Sequence, residues 1–244
     1  MGRSRPAASG KAGAPSAAPA AVAPGPQWTE WVEGCAYLAE NVWDKRVPRD
    51  VLARFKPPSR LPAPSAKEAR SAKVRAGRIC DAAHPAFGQC GLFAARRLAP
   101  GEHVCDYRGV VTLSEHEDKS SDYTLAFVEE GALRLTLDAA RAGNEGRFIN
   151  DFRGVPASSS ATGARAGANV RFAARVDARG QTQMGVYVLP GGAGIAKGAE
   201  LLLSYGKGYW LARGLLRNGG AEAQEELEAA AEALTIADGG QEEA

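Results

Sequence analysis

The spacing of the hydrophobic positions changes near residue 79. From Trp28 to Trp43 the apolar side chains recur at helical intervals, which predicts an amphipathic helix with an apolar stripe. We expect this helix to pack against the main domain, and docking of a partner is the alternative. Beyond residue 79, short apolar runs alternate with Gly, Pro and Asp, which predicts a mostly β domain with flanking helices. The predicted strands cover residues 92–95, 103–107, 124–128, 133–137, 184–189 and 200–204.

Composition divides the chain into four parts. Residues 1–26 are rich in Ala, Pro, Gly and Ser and contain no acidic residue, so we expect a disordered basic tail. Residues 27–78 are interpreted as a helical N-terminal flank and basic linker, and residues 79–210 as the β domain. Residues 211–244 are acidic and rich in Ala and Glu, which favours a C-terminal helix or tail. Inside the β domain, Ala139 to Ala142 is a short helical candidate.

Charge is segregated although its total is nearly balanced, with 30 basic and 28 acidic residues among 244. Residues 1–80 contain 14 basic and 6 acidic residues, residues 81–210 contain 14 of each, and residues 211–244 contain 2 and 8. The basic segment 45–78 could bind nucleic acid weakly, but a solvated linker is the default interpretation. The neutral middle offers no acidic docking surface for a basic partner.

The sequence also limits the compartment and the membrane relationship. No stretch approaches twenty consecutive apolar residues, so we expect no membrane-spanning helix. The N-terminal tail lacks the apolar segment of a secretory signal. Its basic, acid-poor composition is compatible with an organelle transit peptide and equally with a nuclear or cytosolic tail.

The four cysteines lie at least ten residues apart and form no C-x-x-C pair. This spacing gives little support to a structural zinc site or a disulfide framework, so we expect free thiols and no metal. The cysteines are Cys35, Cys80, Cys90 and Cys105.

Four short motifs follow one another across residues 87–210. They read GQCGLFA from Gly88, YRG from Tyr107, GNEGRFIN from Gly143 and GAELLLSYG from Gly198. Each motif alone is weak, but together their order and spacing resemble those of the SET-domain protein lysine methyltransferases. The resemblance covers about half of the chain.

This resemblance implies a SET-domain fold of several small β-sheets, in which the C-terminal segment threads the third motif as a pseudoknot. It implies S-adenosylmethionine (SAM) as methyl donor and a lysine-bearing protein or peptide, possibly a histone, as acceptor. Donor and peptide would enter from opposite faces and meet through a narrow aromatic channel. A nuclear location follows for a chromatin substrate, with cytoplasm or an organelle as alternatives.

The resemblance also assigns roles to individual residues. Tyr205 takes the catalytic position beside the transferring methyl group, and Tyr107 shapes the channel. Leu203 lies near a position that tunes how many methyl groups are added, and the number stays open. The residues expected to bind the donor are Gln89, Cys90, Gly91, Leu92, Asn150, Asp151 and Trp210.

The chemistry explains these residue types. Methyl transfer is an in-line displacement in which an amine nitrogen attacks a carbon that a sulfonium leaving group has activated, so no metal is needed. An ammonium group has no lone pair, so the acceptor lysine must first lose its proton. A dry channel and a nearby positive charge both favour the neutral amine. The enzyme then contributes alignment and charge placement.

The chain departs from the family pattern at three places. Gln89 stands where the first Gly of a Gly-x-Gly pair is expected, unless Gly88 takes its place. Asp151 replaces the His that follows Asn150, and a Ser/Ala/Gly-rich insertion then extends to about Ala168. No cysteine-rich zinc segment flanks the domain. These departures leave a catalytically inactive SET-fold module that binds a peptide or chromatin as the alternative function.

Overall fold

The computed structural model describes residues 27–28, 31–156 and 167–212. Within these residues, fourteen short strands and three short α-helices are present. The strands are β1 (Gln27–Trp28), β2 (Ala36–Tyr37), β3 (Val42–Trp43), β4 (Val74–Arg78), β5 (Cys90–Ala94), β6 (His103–Tyr107), β7 (Val110–Leu113), β8 (Thr124–Glu130), β9 (Leu133–Asp138), β10 (Ala142–Gly143), β11 (Asn150–Asp151), β12 (Val170–Val176), β13 (Thr182–Val188) and β14 (Leu202–Leu203). The helices are α1 (Arg49–Phe55), α2 (Ala66–Ala69) and α3 (Lys207–Ala212), with 3-10 turns at Ser114–His116 and Glu145–Phe148.

The strands form several small sheets, so the predicted mostly β fold is confirmed. Three antiparallel or mixed sheets have the orders β1-β4-β5, β12-β13-β6 and β3-β7-β9-β8. Two short parallel pairs, β2 with β10 and β11 with β14, join distant parts of the chain. Each of the six runs predicted as strands overlaps an observed strand, and each contributes buried apolar side chains.

The helix predicted from Trp28 to Trp43 is wrong. Gly34 has a left-handed backbone with φ +77°, which interrupts any helix at that point. The amide of Ala36 donates to the carbonyl of Arg141 over 2.9 Å, and that of Val42 donates to Gly109 over 3.2 Å. The segment therefore adds single strand pairs to the domain. Its apolar side chains pack on the main domain, as expected, and the helices of this flank lie further along, in α1 and α2.

Two other boundaries differ from the sequence interpretation. β4 lies inside the predicted basic linker and pairs with β5 over five residues, so this part of the linker belongs to a sheet. The helical candidate from Ala139 to Ala142 is wrong, because the amide of Ala140 is capped by Asp138 and β10 begins at Ala142. The helical turn follows later, at Glu145–Phe148. The predicted tail 1–26 and nearly all of 211–244 lie outside the described residues, and the domain limits stay predictions.

Two clusters of buried apolar side chains form the core. The first gathers β4, β5, β6 and β13 around Leu92, Leu98 and Leu201, and the second gathers β7, β8 and β9 around Val111 and Leu137. Tyr205 packs on the first cluster and Tyr107 belongs to the second, while Phe172 packs on both. The two predicted catalytic tyrosines are thus associated with different clusters, which Phe172 connects.

Candidate active site: two cavities that share a wall at Tyr205

The third and fourth motifs lie side by side, as the expected pseudoknot requires. β11 pairs in parallel with β14, so Asn150 lies beside Leu202 and Asp151 beside Leu203. The Tyr205 hydroxyl donates to the carbonyl of Ile149 over 2.7 Å, and its amide donates to Asp151 Oδ2 over 2.7 Å. Gly206 follows with φ +80°, which turns the chain at once into α3. Tyr205 is therefore held by side chain and main chain between the two motifs.

A cavity of about 450 Å³ opens on one side of Tyr205. Five of the seven predicted donor-binding residues line it: Gln89, Cys90, Asn150, Asp151 and Trp210. Leu92 does not line it, because its side chain is wholly buried in the first core cluster. Gly91 is also absent from the lining. A Cβ atom there would lie 2.6 Å from Glu200 Oε1, so the missing side chain makes room for a carboxyl group.

A smaller cavity of about 120 Å³ adjoins the first and is also lined by Tyr205. Its lining is mostly aromatic and apolar: Tyr107, Tyr123, Thr124, Leu125, Ile149, Phe172, Leu203 and Tyr209, together with Asp122, Arg147, Ser204 and Tyr205. The Tyr107 and Phe172 rings meet edge to face with centroids 5.4 Å apart. Leu203 lines this cavity and not the larger one.

Five residues line both cavities: Asp122, Tyr123, Arg147, Tyr205 and Tyr209. The Arg147 guanidinium lies 4.1 Å from the Tyr123 ring centroid and donates to the carbonyls of Ala139 and Ala140. The Tyr107 hydroxyl donates to the carbonyl of Tyr123 over 2.7 Å. Because each phenol proton of Tyr107 and Tyr205 is given to a carbonyl, the oxygen lone pairs stay available as acceptors.

Both phenols are neutral. Burial raises the pKa of Tyr205 well above its ordinary value, and Tyr209 and the carboxylate of Asp151 raise it further. Burial likewise raises the pKa of Tyr107, and the Tyr205 phenol adds to that effect. A phenol that holds its proton this firmly does not act as a general base. The shared wall offers neutral oxygen acceptors.

Aromatic rings and unsatisfied polar atoms complete the two linings. Tyr205 and Trp210 lie nearly parallel at 6.4 Å between centroids, and Tyr209 meets Tyr205 edge to face at 4.8 Å. In the described part of the chain, neither Trp210 Nε1 nor Thr124 Oγ1 finds a hydrogen-bond partner, although both atoms are buried. A bound ligand in the larger cavity could satisfy the first atom and one in the smaller cavity the second.

The structure shows where two of the three departures from the family pattern lie, Asp151 and Gln89. The carboxyl group of Asp151 accepts from the amides of Tyr205 and Arg153 and from the Arg153 guanidinium at 2.9 Å, so it holds the tyrosine segment. Gln89 lies exposed at the rim of the larger cavity, and the left-handed glycine of this motif is Gly88, with φ +78°.

Several lining residues were missed by the sequence interpretation. Tyr123 and Asp122 precede β8 in a polar turn, and Arg153 and His84 lie in loops outside the motifs. Tyr209 lies in α3, just beyond the fourth motif. An aromatic residue next to a predicted strand is a weak signal, because such residues also fill ordinary cores.

The described residues contain no group of three or more His, Cys, Asp or Glu arranged to hold a metal ion. All four cysteines are free. None of the helices in the described ranges is long and apolar enough to cross a bilayer.

The chain matches no protein-family model, and no curated protein sequence matches it. Its backbone is similar to solved structures of the Polycomb Repressive Complex 2 of Chaetomium thermophilum. The crystal structure of that complex is 23% identical over 58% of this chain and 16% of that chain, with a TM-score of 0.41. A humanized mutant bound to an inhibitor is 24% identical over 58% and 16%, with a TM-score of 0.40. A further structure is 20% identical over 67% and 18%, with a TM-score of 0.40.

This chain therefore spans less than a fifth of the chains it matches. The similarity is partial and is one of backbone.

Proposed function

We propose that the chain is a SAM-dependent protein-lysine N-methyltransferase of the SET type. The observation that carries the proposal is the pair of cavities, about 450 and 120 Å³, that share a wall at Tyr205. A transfer between a bulky donor and a slender side chain needs two such spaces, with the reacting atoms meeting between them. Each of the four motifs lines at least one of the two cavities, and the third and fourth reach the shared wall through Arg147 and Tyr205.

The larger cavity fits the donor by size and by chemistry. Its volume lies in the range of roughly 300–1,000 Å³ that small-molecule sites occupy. The buried Trp210 Nε1 atom, which lacks a partner among the described residues, requires an acceptor that a ligand can bring. Asn150, Trp210, Cys90 and Gln89 would hold SAM, which when bound supplies a methyl carbon activated by a positively charged sulfonium.

The smaller cavity fits a lysine side chain. Its walls include Tyr107, Tyr123, Phe172 and Leu203, which are suited to a methylene stem. A group surrounded by apolar side chains is poorly solvated, and this lowers the pKa of a lysine amine. The phenol oxygens of Tyr107 and Tyr205 accept hydrogen bonds from the amine, so the amine is oriented as well as desolvated.

Charge at the shared wall helps the lysine to enter. Asp122 and Asp151 lie close enough to Tyr205 to raise the pKa of its phenol. Asp122 lines both cavities, and its carboxylate attracts an ammonium group towards the smaller one. Loss of the proton is then favoured once the positively charged donor fills the larger cavity. Tyr205 stays protonated throughout and positions the amine.

The acceptor is a lysine-bearing protein or peptide. A histone tail is the most familiar substrate of the family, and a nuclear location would follow from it. The zero net charge of residues 81–210 selects no basic substrate, so a non-histone protein is a second candidate. Weak nucleic-acid binding through the basic segment 45–78 stays a further expectation.

One observation favours the alternative of a non-catalytic peptide-binding module. Both oxygens of the Asp151 carboxyl group accept hydrogen bonds from Tyr205 or Arg153. The carboxyl group that replaces the family's His is therefore already hydrogen-bonded to other residues of the protein. If donor binding needs a side-chain contact at this position, the fold would keep its channel and lose turnover.

Calorimetry with SAM, together with transfer of a labelled methyl group to histones and to a cell lysate, tests the proposal. We expect donor binding in both the wild type and the Tyr205→Phe variant, and label incorporation that is largely lost in the variant. Donor binding without incorporation into any protein would favour the binding module. Failure of SAM to bind would contradict the enzyme.

A further inference from the structure

A buried histidine–carboxyl pair lies behind the larger cavity. His84 Nε2 and Glu200 Oε2 are 3.1 Å apart, and the two side chains are only 1% and 4% exposed. His84 precedes the first motif and lines the cavity, while Glu200 belongs to the fourth motif and pairs with β5 at Phe93. Buried polar groups are costly unless each finds its partner, so the partners of this pair are informative.

The hydrogen bonds of His84 define its tautomer. The amide of Ala86 donates to His84 Nδ1 over 3.0 Å, so Nδ1 carries no proton. The proton of a neutral imidazole then resides on Nε2, which donates to Glu200 Oε2. Glu200 is thereby oriented by a fixed donor on one oxygen.

The second oxygen of Glu200 orients Asn150. Asn150 Nδ2 donates to Glu200 Oε1 over 2.9 Å and to the carbonyl of Cys90 over 3.2 Å. Among the described residues, Asn150 Oδ1 meets no donor. A flipped amide would place Oδ1 against these same two acceptors, which would lose both bonds and bring oxygens together. The amide therefore has a single favourable orientation.

Gly91 makes this contact possible. A Cβ atom at Gly91 would come within 2.6 Å of Glu200 Oε1, the atom that receives the Asn150 bond. The backbone of Glu200 is also fixed, because its carbonyl accepts from Asn169 Nδ2 over 2.8 Å. The glycine of the first motif thus serves a carboxyl group of the fourth.

We propose that His84 and Glu200 are positioning residues that hold the Asn150 amide with Oδ1 as the acceptor at the wall of the larger cavity. The wall then selects a ligand that carries an N–H donor, such as an ammonium or amino group. The orientation of the amide follows from this chain alone, and only the identity of the ligand rests on the proposed function.

The hydrogen-bond relay can be tested without any ligand. In a sample of the protein labelled with ¹⁵N at histidine, we expect the NMR signals of His84 to show an unprotonated Nδ1 and a protonated Nε2. The opposite tautomer would overturn the relay, because Nδ1 could not then accept from Ala86. The Asn150 side-chain amide protons should exchange slowly with water, because both are hydrogen-bonded, to Glu200 and to Cys90. Fast exchange would contradict these two hydrogen bonds.

Binding of S-adenosylhomocysteine, followed by calorimetry, tests the effect on the cavity. Glu200→Gln can offer an N–H group to Asn150 and so permit the flipped amide, and we expect about tenfold weaker binding, the equivalent of about 1.4 kcal/mol. Gly91→Ala displaces the same carboxyl group and should weaken binding similarly. Combining Glu200→Gln with Asn150→Asp restores an acceptor at the wall and should recover part of the loss.

His103→Gln is the matched control. His103 also pairs with a buried carboxyl group, Asp106, at 3.0 Å, but it lines neither cavity. The His103→Gln variant should bind S-adenosylhomocysteine with the same Kd as the wild type. If folded Glu200→Gln and Gly91→Ala bind within twofold of the wild type, the positioning role is overturned. If the wild type itself does not bind, the proposed function fails, and the tautomer decides the relay separately.

Discussion

The two cavities on either side of Tyr205 differ in the kind of side chain that lines them. The larger cavity has Asp151, Arg153 and His84 in addition to the charged residues of the shared wall. The smaller one has no charged residue beyond Asp122 and Arg147, which both cavities share. A polar space suits recognition of a charged, many-atom donor, whereas an aromatic space suits removal of water from an amine. Under the proposed function, the larger cavity would bind the donor and the smaller one would desolvate the amine.

The shared wall should show the largest effect. Tyr205→Phe removes the hydroxyl that bonds to Ile149 and faces the reacting amine, so we expect the methyl-transfer rate to fall by about 10²–10³-fold. Binding of S-adenosylhomocysteine should change less than about threefold, because loss of the Tyr205 hydroxyl removes at most one hydrogen bond to this ligand. Tyr187→Phe, which lies outside both cavities, should keep the full rate. Equal losses of binding and rate in Tyr205→Phe would place this residue on the donor side only.

A substitution away from both cavities should cost stability and spare the chemistry. Asp106 is 4% exposed at its side chain and is bonded by Arg175, whose side chain crosses β13 over Gly185. Burial opposes ionisation, but hydrogen bonds from His103 and Arg175 lower the pKa of Asp106 well below its ordinary value. Asp106→Asn should lower the free energy of unfolding by about 3 kcal/mol, because it leaves Arg175 unpaired.

The pH dependence of that loss has a defined sign. A lowered carboxyl pKa stabilises the folded state fully above the ordinary pKa of aspartate, and the contribution is lost as the pH falls through the folded-state pKa. Urea titrations at neutral and acidic pH should therefore show the gap between wild type and Asp106→Asn closing in acid. A gap that widens in acid would contradict the pairing.

The pH profile of methyl transfer separates the lysine from the tyrosine. Below the pKa of the substrate amine, the rate should rise about tenfold for each pH unit, as the neutral amine becomes more abundant. Burial raises the pKa of Tyr205, so this phenol stays protonated and adds no falling limb up to pH 10. Initial rates at saturating donor from pH 7 to 10 test this. A maximum below pH 9 would indicate a titrating group that the wall does not show.

The smaller cavity alone should respond to Tyr107→Phe. The variant loses the bond from the hydroxyl to the carbonyl of Tyr123 and one acceptor for the amine. We expect kcat/KM for a peptide substrate to fall about tenfold and the donor Kd to stay unchanged. A change in donor Kd would mean that the two spaces are not functionally separate.

The larger cavity alone should respond to Trp210→Phe, with the smallest effect. The change removes the buried Nε1 donor but keeps an aromatic face, so we expect a donor Kd about fivefold higher, which corresponds to about 1 kcal/mol. The peptide KM should not change. Trp43→Phe removes a tryptophan that packs on Phe127 in the second core cluster and should leave the donor Kd unaltered.

Sequence patterns predicted the β domain better than the flank. The run 133–137 alternates apolar and polar residues and the run 103–107 is short and mostly buried, and they correspond to β9 and β6. The segment from Trp28 to Trp43 has helical spacing, but its amides bond to Arg141 and Gly109, more than sixty residues away. Long-range strand pairs of two residues leave no periodicity to detect.

The candidate site shows a similar difference, between residues within the motifs and residues in the connecting segments. The motif residues Tyr205, Tyr107 and Asn150 line the cavities, because they lie on the paired strands or next to them. His84 and Tyr123 lie in connecting segments and reach the site only through the folded chain. Gly91 and Leu92 also belong to a motif but do not line the larger cavity, because Leu92 is buried in the core and Gly91 lies against the Glu200 carboxyl group.

The central claim is that a donor and a lysine bind on opposite sides of Tyr205. A crystal structure of the chain with S-adenosylhomocysteine tests it most directly. We predict that this ligand occupies the 450 Å³ cavity beside Asn150 and Trp210 and leaves the cavity between Tyr107 and Leu203 open. Ligand bound between Tyr107 and Leu203, or elsewhere on the surface with the larger cavity empty, would contradict the account.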